Sequence, residues 1–161
     1  MDLSQTLLKN HLKYENGFLY WIDFSIRPNA KKTALGNLMP NGYVYMKFFK
    51  KAAYVHRLIF LYHHGYLPKY VDHINGNKQD NRIENLREVT RCQNMMNVKK
   101  TSLNKSGFKG VSFNRKMNKW VAQIKQNKKH FYLGAFNSPE EAHEMYRQKA
   151  VELHGEYANF G

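Results

Sequence analysis

Short apolar blocks separated by turn signals organise the first half of the chain. Gly17-Phe18-Leu19-Tyr20-Trp21 and Gly42-Tyr43-Val44-Tyr45-Met46-Lys47-Phe48-Phe49 have strand character, and each opens on an Asn-Gly pair. Val55, Leu58, Ile59 and Tyr62 recur at i, i+3, i+4 and i+7, which predicts a short amphipathic helix over 55–64. Gly65 ends it and Pro68 prevents its continuation. Asn85-Leu86-Arg87-Glu88-Val89 reads as a strand returning along Tyr70-Val71, and Thr90 with Gln93 forms a capping box that starts a helix near Arg91.

The second half has a different rhythm. Alternation over 108–114, 120–126 and 130–136 predicts three strands. Val111, Phe113, Ala122, Ile124, Phe131 and Leu133 form one apolar face, with Ser112, Asn114, Gln123, Lys125, His130 and Tyr132 on the other. Ser138-Pro139-Glu140-Glu141 is a helix start, with Ser as cap, Pro at the first position and Glu at the third. Ala142, Met145, Tyr146, Ala150 and Leu153 form the stripe with which this helix covers the apolar face. The class is α+β. Residues 99–107 are polar and without period, which places the organisation as 1–99, a linker at 100–105 and 106–161.

Composition narrows the partner. The 161 residues hold 26 Lys and Arg against 12 Asp and Glu, a formal charge of +14. Residues 1–100 carry 16 basic and 7 acidic side chains, residues 101–139 carry 8 basic and no acidic ones, and residues 140–161 carry 2 basic and 5 acidic. An all-basic stretch followed by a net-acidic one fits one element facing a polyanion and a later one turned away from it. No apolar run reaches the roughly 18 residues of a membrane span, and Met1-Asp2-Leu3-Ser4 is not the start of a signal peptide. Cys92 is alone, which excludes a disulfide framework and a cysteine zinc site and suits an intracellular protein.

The chemistry concentrates in residues 70–97. Val71-Asp72-His73-Ile74-Asn75-Gly76-Asn77 sets a carboxylate beside an imidazole before an Asn-Gly turn. Asp80-Asn81-Arg82 continues the loop, and Asn94 and Asn97 share one side of the following helix. Carboxylate and amide oxygens are hard ligands suited to Mg²⁺ or Mn²⁺, and a histidine can take a proton from water near neutral pH. On residue types alone, metal-assisted hydrolysis stands beside a hydrogen-bonded turn network. Adjacent strand residues point to opposite faces, so Asp72 and His73 share a site only where the strand ends. His56, His63 and His64 invite a metal assignment, but His63 and His64 read as solvated or capping groups. The basic loop from Arg27 to Lys32 either touches phosphate or is solvated.

His56-Arg57-Leu58-Ile59-Phe60, Gly65, Pro68, Val71-Asp72-His73-Ile74-Asn75-Gly76-Asn77, Asp80-Asn81-Arg82, Asn85-Leu86-Arg87, Val89-Thr90 and Asn94 together resemble an HNH endonuclease of the phage and intron-encoded kind. The resemblance spans residues 42–97 and implies a ββα-metal (His-Me finger) fold that hydrolyses a DNA phosphodiester. It makes Asp72 a metal ligand and His73 the general base. Asn85 orients the loop and the histidine, and Asn94 is the second metal ligand, where many relatives carry His. One Mg²⁺ or Mn²⁺ is implied. Arg82 and Arg87, of the four arginines with Arg57 and Arg91, are the preferred phosphate contacts.

Lys109-Gly110-Val111, Lys119-Trp120-Val121-Ala122-Gln123-Ile124, Tyr132-Leu133-Gly134-Ala135-Phe136, Pro139-Glu140-Glu141-Ala142, Tyr146, Ala150, Gly155 and Asn159-Phe160 resemble an AP2/ERF DNA-binding domain over residues 106–161. That resemblance implies a three-stranded antiparallel sheet packed on one helix, its open face docked in a major groove. Lys109, Ser112, Asn114, Gln123, Lys125, His130 and Tyr132 are then the DNA contacts, while Trp120 falls by alternation on the helix side. The expected protein is an endonuclease of double-stranded DNA, monomeric or weakly dimeric, with no membrane and no obligatory protein partner. If phage-encoded, it works in the cytoplasm of the bacterial host. The alternative is a non-catalytic, sequence-specific DNA-binding regulator built on the same two parts.

Overall fold

Hairpin turns and one central helix set the first half of the structure, a computed structural model that describes residues 3–22, 34–98, 100, 104–126 and 129–161. The basic loop from Arg27 to Lys32 and residues 101–103 of the expected linker lie outside the described residues. Two compact units divide between Val89 and Thr90.

In the first unit, Ser4 accepts the Leu7 amide at 3.2 Å and starts helix α1 (Gln5–His11). A helix of seven residues is marginal alone. Docking holds it: Leu8 is fully buried, and Gln5 Nε2 donates to the Tyr62 and His63 carbonyls at 2.9 and 3.1 Å. Strands β1 (Leu12–Glu15) and β2 (Phe18–Trp21) form a hairpin whose turn residues, Asn16 (φ 47°) and Gly17 (φ 85°), are both left-handed. That is the turn for which Asn-Gly is favoured. A second antiparallel sheet orders β3 (Asn37–Leu38), β4 (Val44–Phe48) and β5 (Lys51–Tyr54).

Helix α2 (Val55–His64) comes next with the predicted bounds, and Gly65 (φ 79°) closes it by donating its N–H to the Leu61 carbonyl. The expected stripe is too narrow. Val55, Leu58 and Ile59 are buried, but so are His56, Phe60 and Leu61, because α1, the two sheets and the next hairpin surround the helix. Each buried aliphatic contributes about 1.5–3 kcal/mol. Strands β6 (Tyr70–His73) and β7 (Leu86–Val89) then pair antiparallel, placing Asp72 opposite Arg87 and His73 opposite Leu86. A single 3₁₀ turn, Ile83–Asn85, precedes β7.

The second unit begins with α3 (Arg91–Met96), whose capping box is formed as expected: the Gln93 amide donates to Thr90 Oγ1 at 3.3 Å, and the Thr90 amide donates to Gln93 Oε1 at 2.8 Å. The break between units precedes the expected linker because residues C-terminal to that linker hold the end of α3. Lys109 Nζ donates to the Met96 carbonyl at 3.0 Å, and Asn159 Nδ2 to Asn97 Oδ1 at 3.1 Å. Strands β8 (Val111–Asn114), β9 (Lys119–Gln126) and β10 (Lys129–Phe136) form an antiparallel sheet with β9 in the middle. Helix α4 (Pro139–His154) starts on Ser138, which accepts the Glu141 amide at 3.2 Å.

Val111, Ala122 and Ala142 form one buried cluster with Trp120 packed beside it, and Ile124, Tyr146 and Ala150 form another. Three expectations are corrected. Met145 is exposed and His154 takes its place in the buried stripe, because 142, 146, 150 and 154 keep one face at four-residue spacing. Phe113 and Phe131 point to the helix side but stay 45% and 37% exposed, since they lie on the two edge strands, β8 and β10, and not on the central β9. Phe113 instead packs edge-on against Trp120, with centroids 5.0 Å apart. Gly110 (φ 75°) lets the backbone lie directly on the Tyr146 ring. Among the described residues no helix is long and apolar enough to cross a membrane.

Candidate active site

The β6–β7 hairpin carries the candidate chemistry at its loop end. Strand β6 ends at His73, whose carbonyl accepts the Gly76 amide at 2.8 Å, so regular pleating stops where the two neighbours must converge. Asp72 and His73 are both buried. Residues 74–85 are organised mainly by side-chain amides. Asn85 Nδ2 donates to Asn75 Oδ1 at 3.1 Å and to the Asp80 carbonyl at 2.7 Å, while Asn85 Oδ1 accepts the Asn75 amide at 3.0 Å. Asn75 Oδ1 also accepts the Asn77 amide, and Asn77 Oδ1 the Gln79 amide. The β1–β2 turn supports this loop from behind: a Cβ at Gly17 would lie 2.7 Å from the Arg82 nitrogen.

Asn81, 3% exposed, is the direct partner of the histidine. Its Oδ1 lies 3.0 Å from His73 Nε2, and its Nδ2 donates to the Gln79 carbonyl at 3.4 Å. The second bond orients the amide, so its oxygen faces the ring and accepts. His73 therefore carries its proton on Nε2 and its lone pair on Nδ1. Burial lowers the His73 pKa below the ordinary imidazole value, against the opposing pull of the Asn81 bond and the Asp72 and Asp80 carboxylates; Lys78 adds to the lowering. Burial thus favours the neutral ring, the form a base needs. Asn85 ties the loop together at Asn75 and Asp80.

An aromatic wall packs against the base. The His56 ring centroid lies 4.9 Å from that of His73, and Tyr43 lies 6.0 Å from His73 and 5.2 Å from His56. Burial, then the neighbouring His73 and Arg57, push His56 down to about 3, and its Nδ1 has no hydrogen-bond partner among the described residues. Lys78 Nζ sits 4.5 Å above the Tyr43 ring and donates to the Asn41 carbonyl at 3.0 Å. His63 and His64 are exposed and lie against Tyr14 and Phe60. Among the described residues no group of three or more His, Cys, Asp or Glu is placed to hold a metal.

Asp72 is paired with Arg87, whose Nε and Nη2 both donate to Oδ2, at 3.2 and 3.1 Å. A hard divalent ion fits this donor chemically: it is a buried carboxylate oxygen at a position that already accommodates positive charge. Asn94, the other expected ligand, offers an amide oxygen of the same hard class and lies half-buried on α3 in the second unit. Arg82 makes a fork on Asp80, Nε to Oδ1 and Nη2 to Oδ2, each at 2.8 Å, and this holds the Asp80 carboxyl below its usual range. Arg57 donates to the Pro68 and Lys69 carbonyls. Arg82 stays at the surface, whereas Arg87 is turned inward.

In the second unit the open sheet face presents Ser112, Gln123, Lys125, His130 and Tyr132 as exposed side chains; Tyr132 pairs with Gln123 and His130 with Lys125 across the strands. Asn114 spends its side-chain oxygen on the turn, accepting the Lys116 and Met117 amides at 3.0 and 3.2 Å. Lys109 is also turned from that face: its ammonium is half-buried against Met96, and burial lowers it to about 8. Lys119 joins the open face opposite Asn114; strand alternation contains it, although it is not among the expected contacts.

Asn81, Tyr43, His56 and Lys78 are likewise absent from the expected site. Asn81 stands inside the motif, but nothing in a polar loop tells which amide turns inward. Tyr43 and Lys78 meet the histidine only through the fold.

A family model described as HNH endonuclease matches residues 53–96, and one described as AP2 domain matches residues 106–156. The chain is 32% identical over 116 residues to protein 3.8 of Escherichia phage T7, covering 71% of this chain and 95% of that one. It is 37% identical over 107 residues to an uncharacterized HNH endonuclease of Acanthamoeba polyphaga mimivirus. That match covers 65% of this chain and 54% of the relative, so the chain spans about half of it. No solved structure matches.

Proposed function

Because residues 53–96 match an HNH endonuclease family model and residues 106–156 an AP2 domain model, we propose that the chain is a metal-dependent endonuclease of double-stranded DNA whose C-terminal sheet selects the site. The observation that carries the reading is His73, buried and fixed through Nε2 to Asn81, next to Asp72 at the end of the strand. A turn network has no need of a base held in one tautomer.

In the proposed reaction His73 Nδ1 takes a proton from a water as the water oxygen attacks phosphorus. The P–O3′ bond breaks and the leaving oxygen takes up a proton, giving 5′-phosphate and 3′-hydroxyl ends. The imidazolium that forms keeps its Nε2–H on Asn81, and a hydrogen bond to a charged group is the stronger kind. Asp72 would hold one divalent ion, Mg²⁺ or Mn²⁺, which when bound supplies Lewis-acid stabilisation of charge at the phosphate, with Asn94 the second ligand that the family resemblance implies. On the second unit, Gln123, Lys125, His130, Tyr132 and Ser112 would meet the major groove, with Arg82 at phosphate on the first. The phage and viral sources of its relatives support work inside an infected host cell.

The test incubates the purified chain with supercoiled DNA and Mg²⁺ or Mn²⁺ beside His73→Ala. Metal-dependent nicking that disappears in the variant is the expected result. Specific binding with equally negligible cutting by both proteins would replace the enzyme with a binding regulator.

A further inference from the structure

Arg87 stands opposite Asp72 across the β6–β7 ladder and places two donors on the one oxygen, Oδ2, at 3.1 and 3.2 Å. The two side chains are 13% and 10% exposed. An arginine fork fixes the carboxylate in one orientation, as a lysine point charge would not. A buried carboxylate with nothing opposite it would be strongly unfavourable. Yet on the nuclease reading, on which this inference rests, Asp72 must offer oxygen to a divalent ion. A guanidinium at hydrogen-bond distance and a divalent cation repel each other across the same carboxylate.

We infer that Arg87 is a placeholder cation for the metal at Asp72. In the metal-free protein it neutralises the carboxylate and holds it in place. As the ion arrives, Arg87 gives up Oδ2. Metal binding is therefore weakened by the pair that holds the carboxylate in place. The displaced guanidinium needs a new anion, and the scissile phosphate is the one the reaction brings. Metal and DNA then favour each other's binding through Arg87.

The placeholder role has a sign that an ordinary supporting residue lacks. Removing a partner that merely orients a ligand costs about 10–100-fold in metal affinity. Removing a placeholder raises it. The experiment titrates Mn²⁺ into the full chain without DNA, followed by the electron paramagnetic resonance of the free ion, for wild type, Arg87→Gln, Arg87→Lys and Asp72→Asn. Melting curves with and without Mn²⁺ run in parallel. Expected are tighter binding in R87Q by about tenfold, a larger Mn²⁺-induced rise in melting temperature, and loss of binding in D72N. Should R87Q fail to fold, R87K carries the test, because it keeps the charge without the fork and is expected between wild type and R87Q. Equal or weaker Mn²⁺ binding in the Arg87 variants, still abolished by D72N, overturns the placeholder and leaves the nuclease reading intact. Binding that survives D72N, or is absent from all four proteins, overturns both.

Discussion

Replacing Asn81 by alanine removes the acceptor that the structure gives the His73 Nε2–H, a contact of 3.0 Å between two residues each 3% exposed. A buried donor left without a partner costs about 1–3 kcal/mol, with bonds to charged groups at the upper end. The ring is neutral before proton transfer and positive after it, so most of the loss falls on the transition state. At about 1.4 kcal/mol per tenfold, cleavage should slow by roughly 10- to 100-fold. Asn81→Asp separates this from simple damage. A carboxylate still accepts the bond, and it raises the histidine's proton affinity. Activity needs neutral His73 and is lost as pH falls through a pKa that burial holds below 6.5 in the wild type; in N81D that acid limb should move to higher pH. Single-turnover cleavage of supercoiled DNA between about pH 5 and 9, with thermal melts of each variant, reads both effects. Cleavage by N81A within about twofold of wild type, together with an unmoved acid limb in N81D, would refute the assigned tautomer.

Three further outcomes rest on the packing and the open sheet face. His56 is held near 3 in the folded chain against 6.5 when exposed, so its contribution is complete above about pH 6.5 and lost as pH falls toward 3. Stability from this group should drop by about 1.4 kcal/mol per pH unit, roughly 2 kcal/mol between pH 6.5 and 5, and His56→Phe should flatten that slope in urea titrations. Gly110→Ala combines a left-handed backbone with a Cβ inside the Tyr146 ring, and calorimetry should show about 2–4 kcal/mol lost from the second unit. Lys125→Ala should weaken DNA binding across sequences and lower the slope of log affinity against log salt by about 1, measured by fluorescence anisotropy; an unchanged slope would remove Lys125 from the interface.

Periodicity revealed most of this fold for a physical reason. Helix α2, the three strands of the second unit and the Ser138 start each carry a regular spacing of apolar or capping residues within the element itself, and that spacing is legible along the chain. Helix α1 leaves little trace, because Gln5 docks on carbonyls 57 and 58 residues away. Spacing located Asp72 and His73, but their partners separated by structure rather than by type. Asn81 and Asn85 are both asparagines in one polar loop; only the three-dimensional turn sends one to the imidazole and the other to the backbone. Arg82 and Arg87 are equivalent as letters, while the ladder makes one a surface fork and the other a buried pair. Lys109 matched a contact position, yet the fold uses it to hold Met96.

The loop between β6 and β7 has a consequence for where such a protein works. Attraction to DNA fades steeply as ions accumulate, because cations are traded for cations along the backbone. The supports of residues 74–85, by contrast, are largely neutral amide bonds among Asn75, Asn77, Asn81 and Asn85. Such bonds carry no net charge for salt to screen. Ionic strength therefore governs how often the duplex is held far more than it affects the amide bonds around the base. A change in the cell's ionic composition would alter encounter frequency without detuning the site that receives the strand.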